Sequence, residues 1–164
     1  MKSGRALALL SGIITIIGTY VLAVSASLTG VSSGVGFITN LTSLFADPAG
    51  NAAYLGVDIW VYYLLVALFI IFLAAGVLQI IGMANRAVSF IFSLFPLAIG
   101  LMFFFLTYTD FLGIKSEFFE TYFEASQVAG IFPFYVPIDQ LGLGTYVLIS
   151  GGVLGIISVF LERK

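Results

Sequence analysis

The sequence predicts an all-α integral membrane protein, a bundle of four transmembrane helices with both termini cytoplasmic and short interfacial helices in two outer connections. Three observations carry that expectation. Of 164 residues, 61% are apolar and only 9% charged, with a mean hydropathy of +1.18, whereas soluble domains carry about 25% charged residues. Four apolar runs reach the roughly 20 residues that a bilayer core requires. Finally, the few bases are unevenly placed. Lys2, Arg5, Arg86, Arg163 and Lys164 fall in the termini and in one tight turn, and only Lys115 lies elsewhere. Short loops rich in Lys and Arg stay in the cytoplasm. That places both termini inside, which requires an even number of spans.

The whole chain, 1–164, is expected to form a single membrane domain. Its first span, 6–28, follows a short basic start and carries Ser11, Gly12, Thr15, Gly18 and Thr19 among Leu, Ile and Val. Val24-Ser25-Ala26 suits a signal peptidase, but the run exceeds the usual length of a signal core and is expected to remain as a span. The first outer connection, 29–58, is rich in Gly, Ser, Thr and Ala. Phe37, Ile38, Leu41, Leu44 and Phe45 recur there at helical spacing, predicting a short helix packed over the bundle. Asp47-Pro48 suits a second helix start, with Asp capping and Pro in the first turn. Asn40-Leu41-Thr42 is a glycosylation sequon, so Asn40 is a candidate acceptor.

The second span, 59–83, opens on Trp60, Tyr62 and Tyr63, an aromatic belt for the membrane–water interface. Gln79 is its only amide. The cytoplasmic turn 84–87 allows only a tight antiparallel hairpin into the third span, 88–108. Pro96 sits mid-span, where it removes a backbone donor and is expected to kink the helix.

In the second outer connection, 109–140, Ser116 with Glu117 and Glu120 reads as a helix start. Phe118, Phe119, Tyr122 and Phe123 then fall on one side, and Glu117, Glu120, Glu124 and Gln127 on the other. This predicts an amphipathic helix with an acidic face, better suited to packing on the protein than to anionic lipid. The aromatic run containing Phe132, Phe134 and Tyr135 is broken by Pro133 and Pro137 and is too short to span. Asp139 is placed to cap the fourth span, 141–161. Gly144, Gly151, Gly155 and Ser158 form a small-residue stripe there, the kind of face through which membrane helices pack. Gly151 and Gly155 are read as contacts within the bundle, with a contact between protomers as the alternative.

Several chemistries are disfavoured. With no His and no Cys, the commonest general base, the thiol nucleophile and the usual soft metal ligands are missing, so no catalytic, cofactor or metal residue is assigned. A net charge of −2 gives no basic face for nucleic acid. The deep spans hold no ionisable group, unlike ion-coupled transporters. The plan of four spans with both termini inside is shared with claudins, connexins and tetraspanins. The cysteine motifs of those families are absent, so no residue role carries over. Two readings remain. The first is a non-enzymatic subunit that works by lateral assembly, with itself or with other membrane subunits. Its partner or cover surface would be the outer segment 118–136, including Phe118, Phe119, Tyr122, Phe123, Phe132, Phe134 and Tyr135. The alternative is an oligomeric pore with Asp58, Asp110 and Asp139 at an acidic outer mouth that concentrates cations.

Overall fold

A computed structural model describes residues 2–110 and 112–162. Four of its helices are long and apolar enough to cross a membrane. They are α1 (Ser3–Ile16, continued by a π-helical turn, Ile17–Val21), α4 (Ile59–Ile81, closed by a 3-10 turn, Gly82–Ala84), α5 (Arg86–Tyr108) and α7 (Leu143–Phe160). The connections add α2 (Gly34–Leu44), α3 (Pro48–Leu55) and α6 (Ser116–Phe123). They also add five two-residue strands: β1 (Ser25–Ala26), β2 (Val31–Ser32), β3 (Glu124–Ala125), β4 (Pro137–Ile138) and β5 (Leu141–Gly142).

Within the bundle, α1 and α5 each pack against both α4 and α7. Small residues set the distances between them. A Cβ on Gly12 of α1 would lie 2.7 Å from the Gly76 carbonyl of α4, and one on Gly76 would lie 3.0 Å from the Gly12 carbonyl. The two backbones therefore meet where neither residue has a side chain. Without a hydrophobic drive between helices in lipid, such close packing is what holds spans together.

The turn between α4 and α5 is tighter than 84–87. Asn85 alone separates the two helical segments, and its Oδ1 accepts from the Ala87 and Val88 amides, capping α5. At this basic end the Gly4 amide donates to the Glu162 carbonyl at 2.9 Å, and Arg86 donates to the Leu161 carbonyl at 3.2 Å. The two ends of the described chain and the Arg86 turn thus share one end of the bundle.

Pro96 lies inside an uninterrupted α5. It has no N–H to give the Phe92 carbonyl four residues back. Gln79 of α4 supplies a donor instead, its Nε2 lying 3.4 Å from that carbonyl and 3.2 Å from Ser93 Oγ. The single amide of the second span thus answers the single proline of the third, the kind of repair that makes proline tolerable in a membrane helix.

The opposite end is closed by a cap. Ser33 and Asp47 cap α2 and α3 by accepting from the Gly36 and Gly50 amides. In one sheet β2 lies between β1 and β3, and β4 with β5 forms a separate hairpin, all pairs antiparallel. The first span ends at Val21 rather than Leu28, because residues 22–26 run extended beneath the cap. The Ala23 amide donates to the Phe134 carbonyl, and the Ala23 carbonyl accepts from Gly144. Hydropathy registers the apolar burial of Ala23 and Val24, not the strand-like backbone that achieves it.

Candidate functional site

The residues that sequence pattern assigns to an outer partner surface divide into two groups. Phe118, Phe119 and Phe123 are buried. The Phe123 ring sits in the middle of an aromatic cluster, with centroids 4.9 Å from Phe37, 5.4 Å from Phe69, 5.2 Å from Phe103 and 6.5 Å from Phe72. These rings join α2, α4, α5 and α6, so they hold the cap onto the bundle and are not offered to a partner. Tyr122 is half-buried and donates to Asn51 Oδ1 at 3.1 Å. Asn51 Nδ2 donates to the Tyr62 hydroxyl, which donates to the Leu44 carbonyl at 2.8 Å. Tyr62 therefore leaves the predicted interfacial belt for the core, while Trp60 stays 64% exposed.

The outward apolar face lies further along. Phe134 is exposed, Phe132 and Tyr135 are half-buried, and Val128, Ile131, Val136 and Ile138 are exposed around them. Period and aromatic content do not separate these residues from the inward Phe of α6. The two prolines that prevent a helix across this stretch are the available signal.

A second apolar feature was not apparent in the sequence. The α4 and α5 helices are close at their turn, where a Cβ on Gly82 would lie 2.9 Å from the Ser89 amide nitrogen. Toward the cap they part around a groove of about 510 Å³. Leu65, Leu68 and Phe69 form one wall, and Ile91 to Met102 along α5 forms the other. That wall is about 16 Å long at 1.5 Å per residue. No charged residue lines it.

The small residues of α7 face inward. A Cβ on Gly144 would meet the Ala23 carbonyl at 2.5 Å, and one on Gly151 would meet Thr15 Oγ1 at 2.6 Å. Gly155 lies against Ser93 and Ser11, and Ser158 Oγ lies 3.4 Å from Ser89 Oγ. This stripe faces α1 and α5, so it offers no free surface for a second protomer. Ser11, Thr15, Gln79, Ser89, Ser93 and Ser158 are all completely buried, so no solvent-wide passage touches them. Among the described residues these six leave no open passage through the centre of the bundle.

The outer acids are dispersed. Asp58 occupies the N-cap position of α4 without a side-chain bond, and Asp110 follows the end of α5, exposed. Asp139 does not cap α7, because Gly142 takes that position. It lies at φ 56° in the turn between β4 and β5 and accepts from the Tyr108 hydroxyl at 2.6 Å. No group of three or more acids suited to a metal ion occurs among the described residues. Glu124 accepts from Ser27 and Thr29. The carboxyl of Glu120 is pushed above its ordinary value, first by partial burial and then by the charges of Glu117 and Glu124. Lys115, the one base outside the termini and turn, donates to the Leu55 carbonyl at the end of α3 at 2.6 Å.

Asn40 has a structural role that its sequon conceals. Its Nδ2, the atom that a glycan would join, donates to the carbonyls of Thr121, Tyr122 and Glu124. It thereby ties α2 to the C-terminal end of α6, where helix carbonyls lack internal partners.

No family model, curated protein or solved structure matches this chain.

Proposed function

We propose that this chain is a non-enzymatic, multi-pass membrane subunit that works by lateral assembly, its termini cytoplasmic and its cap outside. The observation that carries this reading is the apolar groove between α4 and α5. Its two walls lie on helices long and apolar enough to span, with Leu112 and Phe119 of the cap at one end, so the occupant it suits is apolar and lies alongside those helices. The occupant proposed is a transmembrane helix, from a second copy or from another subunit. Exposed Leu68, Ile91 and Leu94 at its edges provide the ridges that such a helix would pack between. The outward patch around Phe134 extends the same kind of surface above the membrane. The charge distribution supports the orientation, since the turn of Arg86 and the ends of the chain hold five of six bases.

The absence of native cysteine makes a direct test simple. Single cysteines are introduced at Leu68 and Leu94, and for contrast at Val153, which is exposed on α7. Oxidation in membranes should give disulfide-linked self-dimers if the occupant is a second copy. Maleimide-biotin reactivity at Leu68→Cys and Leu94→Cys that is blocked in membranes and restored in harsh detergent indicates a different subunit. In both cases the particle mass in mild detergent should exceed one chain. A monomeric mass with equal reactivity at all three sites discards the proposal.

A further inference from the structure

A second cavity, of about 310 Å³, opens in the cap between β1, β2, α6 and the last turn of α5. Unlike the groove it is largely polar. Its walls include Ser25, Ser27, Ser32, Thr107, Glu120 and Gln140. Ser25 and Ser32 are directly opposite each other across the β1–β2 pair, which puts them on one face. Ser27 is engaged, donating to Glu124. Ser32 is only 3% exposed, yet its hydroxyl has no hydrogen-bond partner among the described residues. The side chains of Ser25, Thr107 and Gln140 likewise make none. Ser32 is the buried member of this set, Ser25 and Thr107 are half-buried and Gln140 is exposed, so the cavity runs from a buried hydroxyl to open polar groups and is suited to a polar ligand.

The wall chemistry selects the ligand class. Four hydroxyls, an amide and a carboxylate line the cavity, and no base does. Lys115 is engaged elsewhere. An anion would meet only Glu120. A calcium ion takes six to eight oxygens, usually from several carboxylates, and one carboxylate is a poor cage. No aromatic ring lines the wall, so a quaternary ammonium would lack the π-faces that recognise it. A protonated primary amine presents three N–H donors and one charge, which matches one carboxylate surrounded by hydroxyl acceptors.

We propose that this cavity binds a primary ammonium group, with Glu120 as its counter-ion and the Ser32 and Thr107 hydroxyl oxygens as acceptors. The cation also relieves the repulsion that Glu117 and Glu124 exert on Glu120. A soluble amine and the ethanolamine headgroup of a phospholipid both supply this chemistry, and Thr107 lies in the last turn of α5, within reach of either.

The test uses the full chain in mild detergent, titrated with ethanolamine and followed by thermal unfolding and calorimetry. Tetramethylammonium, glycerol and calcium chloride serve as controls. Ethanolamine should raise the unfolding midpoint with concentration, and the controls should not. Glu120→Gln and Ser32→Ala should each fold with unchanged helical circular dichroism and lose about tenfold or more in affinity, the size of one charge-assisted bond. Nanodiscs then separate the sources. Stabilisation by phosphatidylethanolamine over phosphatidylcholine that is absent in Glu120→Gln identifies the headgroup. An ethanolamine response that is equal in both lipids identifies a soluble amine. The proposal is overturned by a wild-type chain that responds to neither ethanolamine nor phosphatidylethanolamine, by an undiminished response in either variant, or by an equal response to any control.

Discussion

In the bundle, Gly12 and Gly76 let two helix backbones touch, and Gly152 lets α7 approach the backbone of Leu97. In the cap, the Phe123 ring gathers four other rings around it. Each region uses the residue type that its surroundings reward. Lipid is as apolar as Leu or Phe, so burying large apolar side chains between spans gains little, and contact is gained by removing side chains. Where α2 and α6 close over the bundle, a buried aromatic ring contributes through apolar contact and ring geometry. Phe69, Phe72 and Phe103 belong to α4 and α5 yet point into the cap cluster. The boundary between the two regimes therefore runs across the helices and not between segments of the chain.

Breaking the cap should have the largest effect. Phe123→Ala removes a completely buried ring and should cost about 3–5 kcal/mol. Hydrogen exchange should then rise in α2 and α6 while α7 keeps its protection; equal loss in α7 would mean that cap and bundle unfold as one unit. Overpacking the bundle is the converse. A Cβ on Gly152 would lie 2.8 Å from the Leu97 amide nitrogen, a backbone atom that cannot turn aside. Gly152→Val should cost about 1–3 kcal/mol in thermal unfolding in detergent. Gln79→Leu tests the proline repair. It leaves the Phe92 carbonyl without its donor and should cost about 1–3 kcal/mol, and adding Pro96→Ala, which restores the backbone donor, should recover part of that loss. Asn40→Ala should cost about 1–2 kcal/mol, with α6 exchanging faster than α7.

The smallest effect is one of pH. Folding raises the proton affinity of Glu120, so the folded chain holds more protons than the unfolded one between the ordinary glutamate pKa and the raised value. Stability from this group is intact below that window and declines as pH rises through it. Glu120→Gln should therefore match the native chain near about pH 4 and exceed it near about pH 7, read from unfolding midpoints in the absence of amine.

Much of the bundle was legible because length, hydropathy and charge are local properties. The starts of α4 and α5 lie within two residues of the positions that pattern assigns, and Asp47-Pro48 begins α3 as its capping chemistry dictates. The cap was legible only in part. The period that marks one face of α6 as apolar is the same whether that face meets a partner, lipid or the protein's own core. Asn40 reads as a sequon because a triplet is visible in sequence, whereas its three carbonyl partners lie more than 80 residues away. Gln79 and Pro96 are each conspicuous, but nothing in their order along the chain pairs them.

Local composition is enough to establish four helices long and apolar enough to cross a membrane, where each begins and ends to within a few residues except for the first, and which end collects the bases. Those properties follow from side-chain transfer between water and lipid, which each residue carries wherever it sits. Tertiary structure alone decided which Phe turn inward, which glycines meet which backbones, how α4 and α5 part around a groove, and how Ser32 comes to share a cavity with Glu120. These depend on contacts between distant segments, made only once the cap closes over the bundle.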